Sequence, residues 1–380
     1  YLDGSDPPTR SRWAAWEHPY GEEAVYLSWH SNAGGGTGTD TFYDESDPVD
    51  GSYELATMVH TQLIDSIRSL HDGQWRDRGV KTANFAEVNS SHNSEMPAAL
   101  VELGFHDSEY DTQFLLDPIF RRDASRAMYR GIVDYFADQT GSSAIYLPEP
   151  PEQVKLVHTS GQVELSWVDG PVAGVYGDEP TAYKVFQSAD GRSWDNGRVV
   201  EEARLVLNIE AGATQYVRVC SLNAGGISFP SEVLAVRKAL GDTQPPILIV
   251  TAFDRLQRSS LFWSDVGSVG SVRRMDMRRI NAFDGVVNIA ASVDRAMYPF
   301  DSISDEALRV GMSEDFELGN YDLVIWIAGE ESTYDSTFTA EEQRGLRDFV
   351  ASGGKMIVSG SEIFWDLDSQ GSADDLSFAL

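Results

Sequence analysis

Two residues in this sequence could do chemistry, His30 and Glu102, because each is delivered by a short apolar run into polar surroundings. Ala24, Val25, Tyr26 and Leu27 form a run too short for a helix, so Tyr26–Asn32 reads as a short buried strand that carries His30 out of a core. Behind it Gly34, Gly35, Gly36 and Gly38 read as a flexible loop, which places His30 at the mouth of a cleft. A lone histidine of this kind is more often satisfied by hydrogen bonds than employed. A second segment alters the balance. Residues Ala98 to Val101 form another apolar strand and lead into Glu102, set among Leu100, Leu103 and Phe105. A carboxylate in such company is costly unless it has a partner. Two strands that each end in a metal-capable or proton-transferring group point to one shared site.

Three ordered segments carry a resemblance. Ser-Trp-His-Ser-Asn-Ala at 28 to 33, Arg-Gly-Val-Lys-Thr-Ala-Asn-Phe at 78 to 85 and Pro-Ala-Ala-Leu-Val-Glu-Leu-Gly-Phe at 97 to 105 resemble the successive signatures of the zinc-dependent N-acetylmuramoyl-L-alanine amidases. The resemblance runs from about Pro8 to Ala137. It implies a peptidoglycan hydrolase that cleaves the amide between N-acetylmuramic acid and L-alanine with zinc-activated water. His30 would be the third Zn2+ ligand, and Glu102 the catalytic carboxylate that takes the water's proton and returns it to the leaving amine. Asn32 and His92 are candidate substrate-binding residues. The other two ligands of the family, a histidine and a glutamate, find no match here and are expected upstream of Tyr1. Glu17, His18, Glu22 and Glu23 are local substitutes, but they stand too near His30 for the family spacing. The domain thus reads as lacking its N-terminal strand and helix, and the 380-residue chain by itself is expected to be inactive. Two other functions fit the same residues: a non-catalytic cell-wall or surface binding protein, and a zinc peptidase of other specificity.

Composition narrows the classes. Against 29 Lys plus Arg stand 60 Asp plus Glu, a formal net charge of −31 that repels nucleic-acid phosphates. The single cysteine, Cys220, excludes an intrachain disulfide and a cysteine metal cluster, and reads as an inert packed thiol. No run is long and apolar enough for a transmembrane helix, and no signal peptide is visible. The family resemblance implies a secreted, periplasmic or cell-surface bacterial protein whose partner is peptidoglycan.

Around the two candidate residues, strands alternate with helices, the pattern of an α/β domain over 1–145. Thr39 to Tyr43 reads as a half-exposed strand. Ser52 reads as the N-cap of a helix over Tyr53 to Leu70, with Leu55, Val59, Leu63 and Ile67 along its apolar stripe and His60 and His71 at solvent-side or end positions. Val80 to Val88 reads as a connecting strand with Lys81 exposed, and Asn89 to Glu95 as a polar loop bordering the cleft. Asp117 and Pro118 open a closing helix with Phe120, Ala124, Met128 and Tyr135 on one face.

Pro148, Pro150 and Pro151 mark a linker, after which short strands prevail: Val163 to Trp167, Tyr183 to Gln187, Leu205 to Ile209 and Tyr216 to Leu222. With Trp167, Tyr183 and the stretch Asn223 to Ser231, residues 146–240 resemble an all-β fibronectin type III sandwich. After Gln244-Pro245-Pro246, residues 241–380 contain the apolar runs Ile247 to Thr251, Leu323 to Ala328 and Met356 to Val358, read as buried parallel strands. A helix capped by Thr339 and Glu342, with Leu346 and Val350 inward, precedes the last of them. This part resembles the flavodoxin-like fold of class I glutamine amidotransferases. At the position of the family's nucleophile stands Ser361, and no histidine follows residue 158 to serve it as a base, so the domain reads as non-catalytic and truncated.

Overall fold

The computed structural model describes residues 6–19, 21–253, 262–267, 270–274, 283–313, 316–331 and 336–379. They form two compact units, residues 1–146 with 173–176, and residues 147–172 with 177–380. Asp6, Pro7 and Pro8 begin a helix, α1 (Asp6–Glu17). The proline φ is already helical, and a proline at the first turn forfeits an N–H that would have no partner.

The first unit continues with β1 (Tyr26–Asn32), β2 (Thr39–Tyr43), α2 (Ser52–Leu70), β3 (Asp77–Thr82), β4 (Ala98–Phe105), α3 (Glu109–Leu116) and α4 (Pro118–Thr140). Its four strands are ordered β1-β4-β2-β3. β1 is parallel to β4, β4 antiparallel to β2, and β2 parallel to β3. Alternation assigns the faces of β4. Ala99, Val101 and Leu103 join a core with the α2 stripe, whose Leu55, Val59, Leu63 and Ile67 are all buried, and with Phe120, Ala124 and Met128 of α4. Each such side chain withdrawn from water contributes about 1.5–3 kcal/mol. The opposite face carries Ala98, Leu100 and Glu102, with Val88 packed over the two apolar residues.

Several expectations change here. β1 is an edge strand in which only Ser28 is buried. β2 is the reverse of half-exposed at its start: Thr39, Asp40 and Thr41 are buried, since β2 is interior to the sheet, with Thr41 against His60 of α2 and Asp40 against Arg78 and Lys81 on the other face. Gly51, in the left-handed conformation at φ 89°, precedes the first turn of α2, while the Ser52 hydroxyl accepts a bond from the Ala98 amide. His60 is buried, bridging Thr41 and Asp77 at 3.0 and 2.9 Å. His71 bonds Asp123 at 2.9 Å. β3 ends at Thr82, and α3, capped by Ser108, has no counterpart in the reading above.

The second unit begins with the antiparallel strands β5 (Glu152–Thr159), β6 (Gln162–Val168), β7 (Ala182–Ser188), β8 (Arg198–Val200), β9 (Arg204–Leu207), β10 (Thr214–Asn223), β11 (Gly226–Ile227) and β12 (Leu234–Arg237). Val154, Leu156, Val163, Leu165 and Trp167 from one ribbon meet Tyr183, Val185, Val217, Val219 and Leu234 from the other. β13 (Ile247–Thr251) follows, then the hairpin β14 (Phe262–Val266) and β15 (Gly270–Arg274), α5 (Val286–Arg295), β16 (Phe300–Ser304), α6 (Asp305–Ser313), β17 (Leu323–Gly329), α7 (Ala340–Ala351), β18 (Lys355–Gly360) and α8 (Ala373–Ala379). Parallel strands run β18-β17-β13-β16, with apolar cores on both faces of β13 and β17. β16 also pairs with β12 and β5, so the antiparallel and parallel strands share one sheet. At that junction Asp301 is fully buried and accepts from Tyr321 at 2.8 Å while contacting His158 Nδ1 at 2.5 Å. Thr339 and Glu342 form the expected capping box. Val350, in contrast, is exposed, and β18 is an exposed edge strand because no described strand lies beyond it. Cys220 is buried, and burial pushes its thiol up to about 11.

Candidate active site

Register brings the two candidate residues together. His30 of β1 is opposite Glu102 of β4, and Glu102 is opposite Asp40 of β2, so three strands place an imidazole and two carboxylates in one row. Opposed residues point to the same face, the face away from α2 and α4. β4 is apolar on both sides because it is interior to the sheet, and the one departure from that pattern is Glu102.

Glu102 is half-buried, and its Oε2 has no hydrogen-bond partner among the described residues. Its carboxyl is pushed up to about 7, first by burial and then by the negative charges of Asp40 and Glu87, with His106 opposing. It therefore exchanges a proton near neutral pH. Asp40 is fully buried and is held by Arg78 at 2.6 Å, by Lys81 and by the Asn32 side-chain amide at 3.2 Å. Lys81, expected exposed, is thus a counter-charge. Arg78 and Lys81 are the counter-charges of Asp40, and the negative charge of Asp40 is one of the causes that raise the proton affinity of Glu102.

His30 is aligned by its neighbours. Its Nε2 is 2.9 Å from the Ser28 hydroxyl and 3.5 Å from Glu87 Oε1. Glu87 is buried and 3.4 Å from the Arg10 guanidinium of α1. The glycine loop after β1 is pinned rather than free. Asp107 accepts from the Gly34 and Gly35 amides at 2.8 and 3.1 Å, and Asp111 from the Gly38 amide at 2.9 Å. Gly38 has φ 92°, and a Cβ there would be 2.0 Å from the Arg76 carbonyl oxygen, so only glycine fits.

The remaining candidates are placed as follows. The Asn32 amide is taken up by Asp40, and its oxygen accepts from the Ala33 amide at 2.8 Å. His92 Nδ1 bonds the Ala86 carbonyl at 2.9 Å and so holds the segment that carries Glu87. His18 is bonded to Glu95 and to the Glu22 carbonyl, apart from His30. Sequence reasoning passed over Asp40, Glu87, Arg10 and Ser28. Ser28 lay two residues before His30 on the same strand face, a signal the strand period could have supplied. Glu87 carried none, since it reaches the site through a loop.

A hydrolytic zinc site takes three protein ligands and a water. Among the described residues no group of three His, Cys, Asp or Glu is arranged to hold a metal ion. His30 and Glu87 offer two donors, and Arg10 already occupies the carboxylate. These residues alone do not make a zinc site.

Residues 5–134 match the family model described as N-acetylmuramoyl-L-alanine amidase, a third of the chain. An uncharacterized cell wall amidase of Bacillus anthracis is 37% identical over 120 residues, covering 30% of this chain and 21% of that protein. The sporulation-specific N-acetylmuramoyl-L-alanine amidase of Bacillus subtilis is 32% identical over 123 residues, 32% of this chain and 44% of that one. The chain thus spans half or less of the length of these relatives. A solved N-acetylmuramoyl-L-alanine amidase from Clostridium difficile 630 aligns at 25% identity over 36% of this chain and 67% of its own, with a TM-score of 0.31. No helix among the described residues is long and apolar enough to cross a membrane.

Proposed function

We propose that the first unit is the hydrolytic domain of a peptidoglycan amidase acting on the bond between N-acetylmuramic acid and L-alanine. The observation that carries this reading is Glu102, a carboxyl with a proton affinity near neutrality and an unpartnered oxygen, opposite His30 and within the matched region. Such a group takes a proton from the water that attacks the amide carbonyl and passes it to the departing amine of L-alanine. Asp40 supports it, because its negative charge raises the proton affinity of Glu102. Glu87 contributes in the same sense and also faces His30.

The proposed role of His30 is that of one zinc ligand. Since the described donors fall short of a zinc site, no step is derived through the metal. His92 is assigned to substrate contact through Nε2, which takes no hydrogen bond among the described residues, and Asn32 to holding Asp40. In the second unit, the ribbons around Trp167 support a fibronectin type III-like module, and the strands β18-β17-β13-β16 with helices on both faces support a flavodoxin-like one. We assign neither a reaction. Action outside the cytoplasm, on peptidoglycan, follows from this reading.

The shortfall of donors favours a second reading, a wall-binding protein without turnover. Zinc content and release of stem peptide from purified peptidoglycan, measured on the intact protein and on Glu102→Gln, separate the two. Bound zinc with cleavage that disappears in the variant is the expected result. Retained binding to peptidoglycan with neither zinc nor cleavage would establish the second reading, and undiminished cleavage by Glu102→Gln would remove Glu102 from the reaction.

A further inference from the structure

Beside Glu102 the sheet carries two cations to which the hydrolysis assigns no part, Arg78 and Lys81 of β3, both paired with Asp40 of the neighbouring strand. We propose that these two side chains form a carboxylate-binding subsite, which takes an acidic residue of the peptide within about three residues of the bond that is cut. Where that residue stands relative to the bond rests on the proposed amidase reading; the affinity of the pair for a carboxylate does not.

Charge is the first support. The Asp40 side chain is 1% exposed and lies beneath the pair, with Arg78 Nε at 2.6 Å and the Lys81 ammonium as its other ion pair. Two positive charges against one leave an excess, and the excess faces outward, since the Arg78 and Lys81 side chains are 23% and 39% exposed. Donors remain as well. Asp40 engages only Nε–H of the Arg78 fork, and its terminal nitrogens donate no hydrogen bond among the described residues. Each cation is also backed by an aromatic ring: the Arg78 guanidinium is 4.9 Å from the centre of Phe105, and the Lys81 ammonium 5.9 Å from that of Phe42. A guanidinium held against a ring keeps its orientation, which suits two-point recognition of a carboxylate.

The sheet supplies the distance. β4, β2 and β3 are successive strands, and Asp40 is opposite Glu102. With strands about 4.8 Å apart, cations reaching from β3 over Asp40 stand about 5–10 Å from Glu102. An extended peptide covers that in about one to three residues. The muramoyl side of the scissile amide offers no anion, because its carboxyl is the acyl half of that amide, so the charge must belong to the peptide. General attraction does not account for such binding either, since a chain of net charge −31 repels acidic peptides at long range.

The test is binding, without metal or turnover, of the blocked dipeptides acetyl-Ala-Glu-amide and acetyl-Ala-Gln-amide to the 380-residue chain, followed by ligand-observed NMR at millimolar concentration. The second residue is supplied in both L and D form. The acidic peptide of one configuration should bind about tenfold more tightly than its neutral counterpart, the effect of a charge-assisted hydrogen bond, and added salt should narrow the ratio. Lys81→Gln and Arg78→Gln should each bring the ratio toward unity with the neutral peptide unaffected, and Lys81→Arg should retain it. The wild-type ratio and its salt dependence need no variant and cover the event that Arg78→Gln does not fold. Equal binding of the acidic and neutral peptides, binding of neither, or a ratio that both Lys81→Gln and Arg78→Gln leave unchanged overturns the proposal. Selective binding by a protein that releases no stem peptide from peptidoglycan would remove the amidase reading and leave the subsite standing; release of stem peptide with equal binding would do the converse.

Discussion

Glu102→Gln should make the protein more stable at neutral pH while abolishing its turnover. The folded-state carboxyl titrates at about 7, against 4.5 for an ordinary glutamate. Below about pH 4.5 both folded and unfolded states hold the proton, and the carboxyl costs nothing. As pH rises, the unfolded state ionises first, stability falls, and the loss is complete once pH passes the folded value, about 7. For a fully buried group that difference would be worth up to about 3 kcal/mol. Glu102 is only half-buried, and solvent screening reduces the expected cost to about 1–2 kcal/mol. A neutral amide escapes it, and its N–H donors face the carboxylates of Asp40 and Glu87. Urea unfolding of wild type and variant at about pH 4 and pH 8 reads the effect directly. The variant should gain about 1–2 kcal/mol relative to wild type between the two pH values, while stem-peptide release falls by about a hundred- to ten-thousand-fold. A stability difference that does not change with pH would refute the account of Glu102 as a destabilised proton carrier. A variant that is less stable at pH 8 than at pH 4, relative to wild type, would do so as well.

Other perturbations bear on the supporting structure. Asp40→Asn removes a charge that raises Glu102 and should lower its midpoint below about 7, read by carboxyl carbon NMR; an unchanged or higher midpoint contradicts the role given to Asp40. Gly38→Ala combines a left-handed φ with a Cβ 2.0 Å from a backbone oxygen. It should cost more than about 2 kcal/mol in denaturant unfolding, and a neutral result would mean that the loop is not pinned as described. In the second unit, Asp301→Ala strips His158 and Tyr321 of a buried partner and should cost about 3–5 kcal/mol, seen as a lowered melting temperature for that unit; an unchanged one would show that the junction of β16 with β5 does not depend on it.

Local pattern was enough to find β4 and Glu102, because eight residues with one ionisable side chain among apolar neighbours announce both a strand interior to a sheet and a group that must be accounted for. The α2 stripe, the Asp117-Pro118 helix start, the Thr339 capping box and the apolar strands β13 and β17 were legible for the same reason: each is specified by residues within one or two turns or one strand period. Burial was not. Asp40 looked half-exposed and His60 solvent-side because alternation reports two faces but not what covers them: β2 proved interior, with α2 and its His60 against Thr41 on one face and Arg78 and Lys81 against Asp40 on the other. Val350 and β18 erred in the opposite direction, since an apolar strand or stripe shows nothing of whether a neighbour covers it. The electrostatics of the site belong to tertiary structure altogether. Asp40 meets Glu102 across an antiparallel register, and Glu87 meets His30 through a loop and a helix, at sequence separations where no period relates one residue to another. The sequence by itself determined which side chain would be uncomfortable in the sheet. The register of three strands decided which charges surround it, and with them its proton affinity.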